Sequence, residues 1–272
     1  MNHSLVSAEW LFSNIAMSDL VILDASSSTN KAALAAAEQQ LQIRGARRLD
    51  IAKDFSDSES PYPNMLIDPA AFKAQCEKLG INNESKIVVY DNLGIYTSPR
   101  AWWMFKTMGH EAVAVLDGGL PEWIAKGFPI EKIVSTSPET GSYHPNFSKE
   151  RVKDLHFIQE NIESQSATVI DARSAGRFAG TTPEPRAGLR GGHIPKSKNL
   201  PYTDLLQDGK YKSPEAIRAI FANLALPEKP LVFTCGSGIT ACIVLLASTL
   251  IQDHSTAVYD GSWTEWAQVI EA

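Results

Sequence analysis

The sequence predicts an α/β fold built twice over in one chain, and two observations carry that prediction. The first is repetition. LVILDAS (20–26) returns as ATVIDAR (167–173), KIVVYD (86–91) as PLVFTC (230–235), and AVAVLDGGLPEW (112–123) as TAVYDGSWTEW (256–266). The offsets are 147, 144 and 143 residues. Three separate segments sharing nearly one offset describe two copies of one unit. The second observation is alternation: short apolar runs of strand character take turns with helical patterns, which implies a mainly parallel sheet flanked by helices.

Taken in order, LVILDAS is a buried strand closing on Asp-Ala, and DPAAFKAQCEKLG (68–80) is a helix with Phe72, Cys76 and Leu79 on one face. Its opening Asp-Pro is an N-cap followed by proline in the first turn, as is the Ser-Pro of SPEAIRAIFANLAL (213–226). KIVVYD and AVAVLD are the next strands of the first copy. IVSTSPETGSYHP (133–145) has no periodicity and is rich in Ser, Thr and Pro, so it reads as the linker. The expected division is 1–135 for the first domain, 136–150 for the linker and 151–272 for the second. In the second copy, ATVIDAR, LVFT and TAVYD are strands. SPEAIRAIFANLAL is a helix with Ile217, Ile220, Phe221 and Leu224 on one face, and another helix is expected from about Ile239.

Composition narrows the function. With 272 residues, 44% hydrophobic and 21% charged, the chain can bury two ordinary cores. A net charge of −6 gives no reason to expect nucleic acid or an anionic membrane as partner. The start, MNHSLVSAEW, lacks the basic and apolar regions of a secretory signal, and no apolar run reaches the roughly 20 residues that span a bilayer. Three cysteines and six histidines show neither metal-ligand spacing nor a disulfide framework. No metal and no cofactor is implied, and a reducing cytoplasm is the expected setting.

One of those cysteines stands apart. In LVFTCGSGITACIVLL (231–246), Cys235 follows a strand, precedes a helix, and is trailed by Gly236 and Gly238. Ligands of such sheets gather beyond the carboxyl ends of the strands. The glycines let the backbone curl so that N–H groups point inward, and the helix adds its positive end, an arrangement that stabilises a thiolate or an anion bonded to it. A thiolate so held is a nucleophile. Cys76 and Cys242 fall on or inside apolar helices and read as packing residues. The first copy carries Asp91 where the second carries Cys235, so one working site is expected, in the second half.

The segments CGSGITA (235–241), DARSAGRFAGTTPEPRAGL (171–189), GHIPKSKNLPYTD (192–204), SPRAWWMFKTMG (98–109) and YDGSWTEW (259–266) together resemble the tandem rhodanese-type sulfurtransferases, within them the branch that uses 3-mercaptopyruvate. The resemblance implies two rhodanese-like domains and a persulfide on Cys235. Sulfur would pass from a small-molecule donor to a thiol, a thioredoxin-like protein or cyanide, with pyruvate released. It also implies Arg177 and Arg186 as substrate-binding arginines and Ser237 as the hydroxyl beside the cysteine. Gly236, Gly238 and Ile239 would supply backbone N–H groups, and Thr240 would hold the loop through its hydroxyl. Arg173 and His193 read as structural, the histidine fastening a turn, and Trp102 and Trp103 as core or domain-interface residues. The thiosulfate-using branch has basic residues after its cysteine, suited to a dianion; here Gly236 and Ser237 stand in those places.

There are departures. Where the family's first half has His-Ile-Pro-Gly-Ala, this chain has LQIRGARRLD (41–50), with Gln42 for the histidine and Arg44 for the proline, so a relay through that histidine is not expected. The preceding SSSTNKAALAAAEQQ (26–40) shows no matching acid, and Lys196 replaces a glycine of the second-half motif. Three rival readings follow. Thiosulfate sulfurtransferase activity differs only in donor. A cysteine phosphatase would carry an arginine after its loop, where this chain has Ala241. A non-catalytic interaction module would typically have lost the cysteine.

Overall fold

The structure is a computed structural model and describes residues 3–27, 40–133, 137–251 and 255–270. Most of SSSTNKAALAAAEQQ and part of the linker stretch 133–145 lie outside the described residues.

The chain divides into two compact units. One takes in the described residues up to Ser56 with Leu66–Phe147 and Asp208–Tyr211; the other takes in Asp57–Met65, Ser148–Gln207 and the described residues from Lys212 onward. Each unit thus includes a short segment from the other half of the chain.

Both units hold a five-stranded parallel sheet, as expected. In the first, the order across the sheet is Leu5–Val6, Val113–Leu116, Lys86–Tyr90, Leu20–Asp24, Arg47–Arg48. In the second it is Val152–Lys153, Thr256–Tyr259, Leu231–Thr234, Thr168–Asp171, Lys198–Asn199. Counted along the chain, both sheets read first, fifth, fourth, second, third. The repeat seen in sequence is therefore a repeat of topology. Each sheet buries Val, Ile and Leu on both faces at its centre, which is why its central strands read as nearly unbroken apolar runs.

The caps form as expected. Asp68 accepts from the N–H of Ala70 and Ala71 at the start of helix Pro69–Lys78, and Ser213 from that of Ala216 before helix Pro214–Asn223. Phe72, Cys76, Ile217 and Phe221 are buried on the predicted faces. The helix after the cysteine loop begins at Ala241, two residues beyond the expected start. Gly238 takes φ +78°, which keeps the chain out of the helix until Thr240 reaches the N-cap position. From Ala241 to Ser248 that helix is buried all round. Trp102 and Trp103 are buried within helix Ser98–Thr107.

Register positions the two loops that matter. Asp24 pairs with Tyr90 in one sheet and Asp171 with Thr234 in the other, so Asp91 and Cys235 each stand one residue past the end of a central strand.

Candidate active site

Asp91 shows what this strand-end loop does with negative charge. Its Oδ2 accepts from the backbone N–H of Tyr96 at 2.8 Å, Thr97 at 2.9 Å and Ser98 at 2.9 Å, and from the Ser98 hydroxyl at 2.6 Å. Its Oδ1 accepts from the N–H of Leu93 at 2.9 Å. The carboxylate is fully buried and fills the curl of its own loop. Such convergent N–H groups at a helix start are an anion cradle. In the first unit the anion is part of the chain.

At the equivalent place in the second unit stands Cys235, 2% exposed. Its N–H donates to Ser262 Oγ at 3.4 Å and its carbonyl accepts from the N–H of Trp263 at 3.0 Å. The Gly236 carbonyl accepts from the N–H of Thr264 at 3.1 Å and from its hydroxyl at 2.5 Å. The loop is thereby pinned to the start of helix Ser262–Val269. Cys242 is a packing residue as expected, fully buried, and its thiol donates to the Gly238 carbonyl at 3.3 Å. Aligned on Thr97 and Thr240, the amides that hold Asp91 correspond to those of Ile239, Thr240 and Ala241. Among the described residues the Thr240 hydroxyl bonds to no other group, so this residue serves the loop through its place at the N-cap.

Two guanidinium groups flank Gly236. A Cβ at that residue would lie 2.9 Å from Arg177 Nη2 and 3.8 Å from Arg186 Nη1, a crowding that glycine avoids. Arg186 is exposed, donating from Nη2 to Ser237 Oγ at 3.1 Å and from Nη1 to Thr264 Oγ1 at 3.3 Å. Arg177 is partly buried and donates from Nη2 and Nε to Glu184 at 2.5 Å and 3.2 Å. Burial alone would push its pKa down; the bond and charge of Glu184, with smaller contributions from Cys235 and Asp171, hold it above the ordinary value.

Ser237 is buried, and the structure gives it a third neighbour. Asn64 Nδ2 donates to Ser237 Oγ at 3.0 Å and to its carbonyl oxygen at 3.2 Å. A carbonyl only accepts, so the amide must turn its nitrogen inward. Ser237 Oγ therefore accepts from Asn64 and Arg186, neither of which offers an acceptor at that contact. Its own proton is left to donate.

Asn64, Glu184 and Thr264 were not singled out from sequence. Asn64 lies 173 positions from Ser237, and its only local signal is a turn-prone SPYPN at which it adopts φ +63°. Gln42, which stands where the family's first-half motif has histidine, belongs to the other unit, where it donates to the Ala46 carbonyl at 3.1 Å and to Glu131 at 2.9 Å. The residue on Ser237 is Asn64. Arg173 is structural as expected. Its guanidinium holds both oxygens of Asp171, the Gly192 carbonyl and Glu184, and lies 4.4 Å over the Trp263 ring. His193 Nδ1 is 2.9 Å from the Phe178 carbonyl oxygen and the ring stacks on that of Phe178, which fits a fastened turn. Lys196 adopts φ +62°, in the left-handed region that favours glycine.

A cysteine stands at a strand end inside a sheet that the chain repeats. The model of the rhodanese-like domain matches residues 7–126 and again 154–269. The chain belongs to the rhodanese family. It is 41% identical to the 3-mercaptopyruvate sulfurtransferase of Homo sapiens over 97% of this chain and 91% of that protein. To the thiosulfate sulfurtransferase of Cricetulus griseus it is 40% identical over the same shares. Among solved structures, the 3-mercaptopyruvate sulfotransferase SseA of Escherichia coli superposes with a TM-score of 0.85 at 34% identity, covering 96% of this chain and 99% of that one. The rhodanese-type chain is thus a sulfurtransferase with small sulfur donor and acceptor substrates. Near-equal identity to both kinds of relative leaves the donor to be argued from the site. Among the described residues no helix is long and apolar enough to cross a membrane.

Proposed function

We propose that the protein transfers the sulfur of 3-mercaptopyruvate through a persulfide on Cys235 to a thiol, a thioredoxin-like protein or cyanide. The observation that carries this reading is the charge beside the cysteine. Gly236 and Ser237 add none, Arg177 is paired with Glu184, and among the described residues Arg186 bonds only to the hydroxyls of Ser237 and Thr264. One uncompensated guanidinium suits one carboxylate.

In the first step the Cys235 thiolate attacks the donor sulfur. The carbon–sulfur bond breaks and its electron pair passes into the enolate of pyruvate, which takes up a proton and leaves. Arg186 binds the carboxylate, and Arg177 offers its remaining N–H groups on the Gly236 side. Ser237, whose proton is free to donate, holds the keto oxygen as it becomes an enolate oxygen, the moment when a hydrogen bond gains most. The new persulfide rests among the N–H groups of the loop, Gly236, Gly238 and Ile239, with those of Thr240 and Ala241 at the places that hold Asp91 in the first unit. In the second step an acceptor nucleophile attacks the outer sulfur, the sulfur–sulfur bond breaks, and the Cys235 thiolate returns. All three cysteines are free thiols, which fits a reducing compartment such as the cytoplasm.

The test is to weigh the intact reduced protein after mixing with 3-mercaptopyruvate and no acceptor, with Cys235→Ser and thiosulfate run in parallel. A gain of one sulfur on the native chain alone, with pyruvate released, is expected. Faster loading from thiosulfate would make that the donor, a reading the thiosulfate-named relatives favour. No gain from either donor would leave a non-catalytic module.

A further inference from the structure

Glu184 has no part in the reaction just described, yet its carboxylate takes three hydrogen bonds from two arginines beside the cysteine loop. Its side chain is 2% exposed. Oε1 accepts from Arg173 Nη1 at 2.8 Å and Arg177 Nε at 3.2 Å, and Oε2 accepts from Arg177 Nη2 at 2.5 Å. Arg173 needs no second carboxylate, since its Nε and Nη2 already lie 2.9 Å and 2.6 Å from Asp171 Oδ2. The charge that Glu184 cancels is that of Arg177.

The charged side chains bonded into this cluster are Arg173, Arg177 and Arg186 on one side and Asp171 and Glu184 on the other. Before the Cys235 thiolate is added, three cations against two carboxylates leave one net positive charge. We propose that Glu184 is a specificity-determining residue: by cancelling Arg177 it matches the site to a singly charged keto acid and mismatches it to a dianion such as thiosulfate. The inference rests on the proposed function for its choice of donor, but the electrostatic role stands by itself. Arg177 remains useful after neutralisation. Fixed by Glu184, it presents N–H groups beside Gly236 in one orientation while adding no net charge. Without the carboxylate the same guanidinium would count in full. A unit charge within several ångströms of the reacting sulfur, at an effective dielectric constant of roughly 20, changes the preference for one further negative charge by about fivefold or more.

The substitution to make is Glu184→Gln, which keeps the volume and one acceptor oxygen. Two ratios are read: kcat/KM for thiosulfate over that for 3-mercaptopyruvate, and the rate of Cys235 alkylation by iodoacetate over that by iodoacetamide. Both should rise about fivefold. In an Arg177→Met background, which leaves Glu184 uncompensated, the same change should bring both ratios back to those of the parent. Unchanged ratios in a Glu184→Gln protein that melts near the parent would overturn the proposal. If the glutamine variant does not fold, Arg177→Met alone must lower the iodoacetate ratio, and a flat ratio there overturns the proposal equally. A raised alkylation ratio in a protein that accepts sulfur from neither donor would support the charge role while discarding the proposed function.

Discussion

Asn64 decides what Ser237 can do, and it illustrates how one residue sets the chemistry of another. By occupying the serine oxygen together with Arg186, it makes the hydroxyl a donor. Asn64→Ala should therefore lower kcat/KM for 3-mercaptopyruvate by about three- to tenfold, the range of one lost hydrogen bond of about 1 kcal/mol, with melting nearly unchanged. A rate equal to the parent's would show that Arg186 alone suffices to orient the serine. Arg186→Ala should reduce use of 3-mercaptopyruvate far more than it reduces alkylation of Cys235; equal losses would assign the arginine to the fold. A second thiol, read from the sequence as a packing residue, is silent. Cys76 is fully buried, and burial, with the charge of Glu77 adding to it, pushes its thiol well above the ordinary range. Native-state alkylation near neutral pH should leave Cys76 unlabelled, and peptide mapping that finds it modified before unfolding would contradict this.

At the scale of elements, the same strand–loop–helix unit is used in two ways. With Cys235 the loop awaits a sulfur; with Asp91 it is closed by an internal carboxylate that takes four N–H groups and a hydroxyl. Asp91→Ala would leave those buried donors unpaired, at a cost of about 2–4 kcal/mol in unfolding free energy. Denaturant melts that show less than about 1 kcal/mol would mean water replaces the carboxylate. This pairing was half legible in the sequence. The repeat aligned Asp91 with Cys235 and marked one site as retired, but nothing in VVYDNLGIYTSPR showed that the acid turns inward. That depends on how the loop curls. The turn at Lys196 was legible only as an oddity: its left-handed backbone is held while its Nζ donates to the Ile162 carbonyl at 2.6 Å.

For the whole molecule, the repeat offset gave the two sheets but not their strand order, because a parallel sheet buried on both faces demands continuous apolar central strands and leaves a direct trace in composition. The grouping of segments left no such trace. Residues 57–65 belong to the unit that holds Cys235, and with them comes Asn64. A fragment of 151–272 lacks that segment. It should load sulfur on Cys235 at least about threefold more slowly than the full chain, the share of one lost hydrogen bond to Ser237; equal loading rates would show that 57–65 is dispensable to the site. By itself the sequence determined the doubled α/β architecture and the place of Cys235 at a strand end, since periodicity and glycines are local properties; the two arginines came from the family resemblance. Only the tertiary structure decided that Asn64 faces Ser237, that Thr264 braces Arg186 and that Glu184 cancels Arg177. Those are contacts between side chains distant in sequence or folded back across a loop, and burial and hydrogen-bond geometry select them only once the chain has closed.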